Sequence, residues 1–149
     1  MAALRGATWT NEQNAERGTR NAEFFMSMEK SDLQKRTKEF AVRVIRMVDS
    51  LPRHRTADVL DRQLIRCATS VGANYRSAKR AKSPADFIAK MSIVEEEADE
   101  SCYWMELMTD ISLIKKESLK DLMTESNELV AIAVSSVKTA RSRHATAAR

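Results

Sequence analysis

The chain has 149 residues, of which 43% are hydrophobic and 31% charged. This is enough to bury one hydrophobic core, but it is short for two separate domains. Three glycines and two prolines leave little material for turns between strands, and strong helix formers dominate, which predicts an all-α protein. The net charge of +4 conceals opposed local charges, because residues 91–110 carry seven acids and no base whereas residues 129–149 carry four bases and no acid.

The two ends of the chain have no sustained apolar periodicity. Residues 1–30 mix charged residues with Thr, Asn and Gly, and residues 141–149 are small and basic. We therefore expect a flexible N-terminal tail, a folded domain over residues 31–140 and a basic C-terminal tail. Since no secretory segment and no apolar run of about 18 residues is found, we expect a cytoplasmic protein without a membrane span.

The first half of the domain predicts two helices. Apolar residues recur at helical spacing over residues 33–51, with Ser31 as the predicted N-cap and Pro52 as the residue that ends the helix. Thr56 is the predicted N-cap of the second helix, which we expect to run to about residue 81. The short basic loop between them leaves the two helices antiparallel.

The second half predicts two more helices. Ser83, Pro84 and Asp86 give the third helix an N-cap, a proline at its first position and an acid in its first turn. Ser118 is the predicted N-cap of a fourth helix that continues to about Ala140. The expected core face of the third helix is formed by Phe87, Met91, Val94, Ala98, Cys102, Met105 and Ser112. Four amphipathic helices with short connections predict an antiparallel up-down-up-down four-helix bundle.

The second helix separates its residues by face. Its apolar face consists of Leu60, Leu64, Cys67, Val71, Tyr75 and Ala78. The opposite face carries an arginine stripe, which we define as Arg62, Arg66, Arg76 and Arg80. With Lys79, these are the residues that we predict to bind nucleic acid through its phosphates. Two other interpretations stay open: ion pairs with acids of the third helix, within the subunit or between subunits, and a surface that only keeps the protein in solution.

A polar strip formed by Gln63, Ser70 and Asn74 lies between these two faces. Such residues fix the register of helical assemblies when they hydrogen-bond a neighbouring helix. A catalytic use would need an activating base close by, and none is visible in the sequence. We therefore predict a structural role for the strip.

The third helix has a second apolar flank, about 100° from its core face. We define this apolar flank as Ile93, Trp104, Met108 and Ile111. A helix with two apolar faces needs two partners, and an exposed patch of this kind is unfavourable on a monomer. We therefore predict that the flank is an oligomer interface.

Patterns of catalytic or metal-binding residues are missing. The two histidines, His54 and His144, are not part of a Glu-x-x-His motif, which excludes the usual ligands of a di-iron bundle. The acids of residues 95–100 fan around the helix, which favours a solvated or salt-bridged surface. Cys67 and Cys102 lie on apolar or nearly apolar faces and are expected to be buried, reduced thiols. We predict no enzymatic activity, no cofactor and no metal.

Two segments carry a family resemblance. Residues 63–76 have Gln, Arg, Ser and Asn at characteristic offsets, and residues 86–100 place a Phe ahead of an acidic-apolar run. Together with residues 33–52 they resemble bacterial four-helix-bundle proteins first noticed as reading frames in intervening sequences of 23S ribosomal RNA genes. The resemblance covers about residues 31–140.

The resemblance implies an antiparallel four-helix bundle that assembles as a homopentamer around a central pore. It also implies a structural relationship to the accessory variability proteins of diversity-generating retroelements, which bind nucleic acid and a reverse transcriptase. The chain departs from the family pattern after Asn74, where an apolar residue followed by Ala-Glu-Gly is usual and residues 75–78 read Tyr-Arg-Ser-Ala. This replacement makes the second helix more cationic.

These observations predict a non-enzymatic, cytoplasmic, oligomeric bundle that binds RNA or DNA backbone through its basic second helix. Contact through phosphate is expected because the chain has few aromatic residues to stack on bases. The alternative is a protein-binding scaffold or accessory subunit, for example for a reverse transcriptase, whose arginines form ion pairs between subunits.

Overall fold

The computed structural model of the protein describes residues 32–147, and the side chains of residues 32–146. Within this range the protein has four helices and no strand, which confirms the all-α prediction. The helices are α1 (32–49), α2 (Arg55–Ala78), α3 (Pro84–Asp110) and α4 (Lys116–Ala147). The predicted N-cap Ser31 and the predicted N-terminal tail lie outside the described residues.

The helices enclose one core, and the described residues from Gln34 onward form a single compact unit. All six residues predicted for the apolar face of α2 are buried, as are Met91, Val94, Ala98, Cys102 and Met105 of α3, whereas Phe87 is half-buried. The core is completed by Thr37, Phe40, Val44 and Val48 from α1, and by Leu119, Leu122, Leu129, Ala133 and Val137 from α4. The helical periodicity therefore identified the buried faces.

Helix α2 begins at Arg55, two residues before the start that a cap at Thr56 implies. Its N-cap is His54, whose Nδ1 accepts a hydrogen bond from the backbone N–H of Ala57 at 3.4 Å, so the prediction of Thr56 as the cap is wrong. His54 directly precedes the helix, so its imidazole can accept a hydrogen bond from one of the free N–H groups of the first turn. At the other end the helix stops at Ala78, because the next backbone bonds span only three residues and tighten the chain into a turn.

Helix α3 begins as predicted and ends earlier. The hydroxyl of Ser83 accepts from the N–H of Asp86 at 3.1 Å, and Pro84 is the first helical residue. The helix stops at Asp110, two residues before Ser112. Ser112 has a φ of 58°, which is left-handed backbone, and it is exposed. Its assignment to the core face of α3 is therefore wrong, because a left-handed residue turns the chain out of the helix.

Helix α4 is longer at both ends than predicted. It begins at Lys116, so Ser118 is inside the helix and is not its N-cap. It continues to Ala147, past the predicted end near Ala140. Residues 141–147 contain no Gly or Pro and include Arg and Ala, so nothing local terminates the helix after it leaves the core.

Helix α3 packs against both α2 and α4. Helix α1 is joined to α4 by Arg36, which donates to both carboxylate oxygens of Glu125, at 3.0 and 3.1 Å, and to Glu128 at 2.6 Å. It approaches α2 at Gly72, where an added Cβ would lie 3.5 Å from the carbonyl oxygen of Thr37. Among the described residues, no helix combines the length and apolar character needed to cross a bilayer.

Candidate nucleic-acid interface

The arginine stripe lies on the solvent side of the α2 region. Arg62, Arg66 and Arg76 are exposed residues of α2, and Arg62 and Arg76 are about 21 Å apart along the helix at about 1.5 Å per residue. Arg80 is also exposed but lies in the turn after the helix, so its assignment to the helix itself is wrong. Within residues 32–147, Arg62, Arg76 and Arg80 make no ion pair and no side-chain hydrogen bond. Three members of the stripe are thus available to an external anion.

Arg66 is engaged by α3. Its Nη1 lies 3.2 and 3.1 Å from the two carboxylate oxygens of Glu97, and its Nη2 lies 2.6 Å from Oε2 of Glu100. Nε also donates to the side-chain oxygen of Gln63 at 3.3 Å. Hydrogen bonding to Glu100, with further contributions from Cys67 and Glu97, raises the pKa of the Arg66 guanidinium. The ion-pair interpretation of the stripe is therefore correct for this arginine.

Lys79, the fifth predicted contact, is exposed and is the C-cap residue of α2. Its Nζ donates to Oε1 of Gln34 in α1 at 2.7 Å, a contact between two exposed side chains. An amide oxygen holds a lysine without neutralising it. The positive charge of Lys79 therefore stays on the same surface as the arginine stripe.

The thiol of Cys67 lies beneath the Arg66 ion pairs. Its Sγ is 3.1 Å from Nη2 of Arg66 and donates to Oε2 of Glu100 at 3.1 Å. Burial, followed by the hydrogen bond to Glu100, raises the pKa of Cys67 to about 12, while the charge of Arg66 opposes this shift. The hydrogen bonds from Cys67 and then from Arg66 lower the pKa of Glu100. Both cysteines of the protein are buried and unpaired, as predicted, and a thiol of this kind is a poor nucleophile.

Cys67, Glu97 and Glu100 each place one ligand atom within 4.8 Å of the others, a spacing at which three groups can share a cation. The guanidinium of Arg66 already contacts all three side chains and supplies the positive charge. An incoming metal would have to displace that arginine and deprotonate a thiol with a strongly raised pKa. The geometry therefore favours an ion-pair cluster, and the absence of a metal site stays a prediction.

The polar strip is used within its own helix. Asn74 Nδ2 donates to the backbone oxygen of Ser70 at 3.0 Å and to its hydroxyl at 2.9 Å, and Gln63 accepts from Arg66. Over the described residues, none of these three side chains hydrogen-bonds a different helix. The hydrogen bonds of the strip thus join residues three or four positions apart within α2, and its role in fixing the register of an assembly stays a prediction.

The predicted apolar flank of α3 is divided by the fold. Met108 is fully buried in the core of its own chain and offers no surface to a partner, so its assignment to an interface is wrong. Ile93 and Ile111 are 38% and 46% exposed, as an interface would require. Trp104 is half-buried, and its Nε1 is buried without a hydrogen-bond partner among the described residues. Tyr103, which the sequence interpretation missed, is 55% exposed, and its ring meets that of Trp104 edge-on at 5.0 Å.

Asp61 is the acid next to the start of the stripe. Its Oδ1 is buried and has no hydrogen-bond partner in the part of the chain that the structure describes. Burial, followed by the charge of Asp58, raises the pKa of Asp61, and His54 opposes the shift. Asp61 does not neutralise Arg62, because no ion pair joins them within that part of the chain.

Comparison with known proteins confirms the family resemblance. The family described as 23S rRNA-intervening sequence protein matches residues 29–135. A crystal structure of a protein with unknown function from the S23 ribosomal protein family of Bacteroides thetaiotaomicron VPI-5482 is 34% identical, with a TM-score of 0.68 over 73% of this chain and 97% of that chain. No curated protein matches the chain. Since the family match covers most of the sequence, the chain belongs to the 23S rRNA-intervening sequence protein family.

Proposed function

We propose that the protein is a non-enzymatic, cytoplasmic, self-associating bundle that binds the phosphate backbone of RNA or DNA through the arginine stripe. The observation that carries this proposal is that Arg62, Arg76 and Arg80 are exposed and have no acidic partner within residues 32–147. Unpaired guanidinium groups aligned on one surface form an electrostatic footprint for a polyanion, to which they bind through bidentate hydrogen bonds.

The composition of this surface favours backbone contacts over base recognition. Tyr75, the aromatic residue of α2, is buried in the core, so the stripe has no aromatic side chain on which a base could stack. The guanidinium groups bind phosphate equally well on any sequence. We therefore expect binding without sequence preference.

We also infer that the helices alternate in direction. Early residues of α1 contact late residues of α2, as in the pairs Gln34–Lys79 and Thr37–Gly72. In α3 and α4 the hydroxyl of Ser126 bonds the carbonyl of Ala98, and Cys102, one turn later in α3, contacts Met123, one turn earlier in α4. Both patterns are consistent with antiparallel neighbours in an up-down-up-down bundle.

Self-association is proposed through the exposed part of the apolar flank. Ile93 of α3 and Ile111, the C-cap residue of that helix, are both exposed, and their helical spacing places them on one side with Trp104 half-buried between them. Exposed isoleucines on one helix face are favourable in an interface. The family resemblance gives five as the expected number of subunits.

The salt dependence of binding tests the proposed function. We expect the dissociation constant for a short RNA or DNA to follow a straight line on a log-log salt plot. Exchange of Arg62, Arg76 and Arg80 together for Gln should reduce the slope by about 2 to 3, because each neutralised phosphate contributes roughly 0.7 to 0.9. Circular dichroism should be unchanged, since all three side chains are exposed.

A matched control removes the same charge from other surfaces. Arg46 of α1 and Lys120 and Lys138 of α4 are exposed, and their combined exchange for Gln should change the slope much less. An equal loss in both triple variants would mean that only net charge matters and would contradict a site on the stripe.

A protein-binding scaffold is the second candidate, and the exposed apolar residues of α3 favour it. If the wild-type protein binds no nucleic acid at ~50 mM salt, where backbone contacts are strong, the nucleic-acid proposal is wrong. A protein partner that stays bound at high salt would then support the scaffold, because apolar contacts are not weakened by salt screening.

A further inference from the structure

One member of the arginine stripe is occupied within the chain. The guanidinium of Arg66 uses both Nη atoms on the carboxylates of Glu97 and Glu100, whereas its three companions have no such partner in the described residues. We propose that Glu97 and Glu100 form an autoinhibitory latch, which competes with nucleic-acid phosphate for the guanidinium of Arg66. This inference rests on the proposed function and adds a regulatory contact to the same site.

The competition follows from the geometry of the donors. Nη1 is 3.2 and 3.1 Å from the two oxygens of Glu97, and Nη2 is 2.6 Å from Glu100, so the outer edge of the guanidinium is already in use. A phosphate bound by an arginine takes the same pair of N–H groups in the same forked arrangement. Arg66 therefore cannot serve the carboxylates and a phosphate fully at once.

The latch is weak enough to open. The side chains of Arg66 and Glu100 are 51% and 49% exposed, and ion pairs between exposed groups are among the weaker contacts in proteins. When Arg66 leaves, Glu100 keeps the hydrogen bond donated by the thiol of Cys67. Opening therefore leaves Glu100 partly satisfied and accessible to water.

Glu97 is the stronger half of the latch. Its side chain is only 16% exposed, and Arg66 is its side-chain partner at both oxygens. A carboxylate that is mostly covered loses more when its cation leaves than one that is half exposed. We therefore expect Glu97→Gln to release Arg66 more fully than Glu100→Gln does.

The released arginine would join the stripe. Arg66 is one helical turn from Arg62 on α2, at an angle of about 40° toward α3. Its long side chain can cover that angle without any movement of the backbone. With the latch closed the protein presents three unpaired arginines on this surface, and with the latch open it presents four.

A double-mutant cycle tests the latch. The variant with Glu97→Gln and Glu100→Gln should bind a short nucleic acid more tightly than wild type at ~50 mM salt, by about fivefold or more, because one exposed ion pair accounts for up to about fivefold and the mostly covered Glu97 adds to it. The salt slope should steepen by roughly 0.7 to 0.9, the contribution of one further phosphate. Adding Arg66→Gln to this variant should remove both gains.

The cycle separates the latch from a general change in charge. If the two Glu substitutions strengthen binding equally with and without Arg66, the carboxylates act only through repulsion of the polyanion, and the latch is overturned. Glu125→Gln with Glu128→Gln is the matched control, because it removes two carboxylates from Arg36, which is not part of the stripe. That control should not steepen the slope.

A second comparison needs no change at the carboxylates, in case their replacement unfolds the protein. In the wild-type background Arg66→Gln should weaken binding by a smaller factor than Arg76→Gln, because Arg66 must first leave Glu97 and Glu100. An equal or larger loss from Arg66→Gln overturns the latch while leaving nucleic-acid binding intact. Absence of wild-type binding together with no binding by the Glu variant overturns both the latch and the proposed function.

Discussion

The backbone N–H of Leu113 donates to the carbonyl of Met108 at 3.0 Å, across five residues. The N–H of Ser112 bonds the carbonyl of Thr109 at 3.0 Å, and Ser112 itself has a φ of 58°. This pair of bonds around one left-handed residue closes the C-terminal end of α3 and satisfies carbonyls that the helix leaves unpaired. Glycine usually occupies this position, since a side chain is unfavourable in left-handed backbone.

We expect Ser112→Gly to stabilise the protein by about 1 kcal/mol, because it relieves a left-handed conformation that costs an ordinary residue about 1 to 2 kcal/mol. The midpoint of urea unfolding should rise without a change in its slope. Ser135→Gly, at an exposed position inside α4, is the control and should instead destabilise by about 0.5 kcal/mol. A lower midpoint for Ser112→Gly would contradict the account of this turn.

The end of α3 could not be predicted from the sequence because its usual signal is missing. Helical periodicity continues through Met108 to Ile111, and a serine stands where glycine would mark the turn. At the start of the helix, by contrast, Ser83 and Pro84 form an explicit signal, and that prediction is confirmed. The sequence thus predicted the end of α3 that carries a distinctive capping residue, and not the end that lacks one.

The site was predictable in part for a similar reason. The period of α2 placed Arg62, Arg66 and Arg76 on the solvent face, which depends on sequence alone. The choice of Glu97 and Glu100 as partners of Arg66 depends on the register between α2 and α3. Helical periodicity predicts which face of a helix a residue occupies, but it does not predict the register between two helices. The sequence therefore predicted ion pairs between α2 and acids of the third helix without identifying those acids.

The cap of α3 gives a second stability prediction. The hydroxyl of Ser83 accepts from the N–H of Asp86 at 3.1 Å, and Ser83→Ala should cost about 1 kcal/mol of unfolding free energy. Ser83→Asp should be nearly neutral, because a carboxylate accepts the same bond and suits the positive end of the helix dipole. Equal destabilisation by both substitutions, measured by urea unfolding, would argue against this cap.

The proposed interface is best tested at its exposed isoleucines. Ile93→Glu combined with Ile111→Glu should shift the assembly toward monomer, because two charges would be buried in an apolar contact. These positions are preferable to Trp104, whose indole nitrogen is buried within the chain. Light scattering at micromolar concentration gives the measurement, and a clean 16.8 kDa species for wild type would exclude the interface. Ala131→Glu, at an exposed position of α4, should leave the assembly intact.

The thiol of Cys67 predicts how stability depends on alkaline pH. Burial and the hydrogen bond to Glu100 raise its pKa to about 12 from an ordinary 9.0, so the folded protein keeps a proton that the unfolded chain releases. The unfolded state binds fewer protons between these two values. The contribution of this thiol to the free energy of unfolding is therefore fully present below about pH 9. It falls as the pH rises toward about 12, by at most about 1.4 kcal/mol per pH unit.

Comparison with Cys67→Ala isolates this contribution from the lysines and tyrosines that titrate in the same range. At about pH 8 the variant should be less stable than wild type, because it leaves a small cavity and removes a donor from Glu100. As the pH rises to about 10.5, wild type should lose stability faster than Cys67→Ala, so the gap between their unfolding free energies narrows or reverses. Urea unfolding of both proteins across this range gives the measurement. A gap that stays constant with pH would mean that the thiol ionises equally in the folded and unfolded states, and that its burial against Glu100 does not hold the proton.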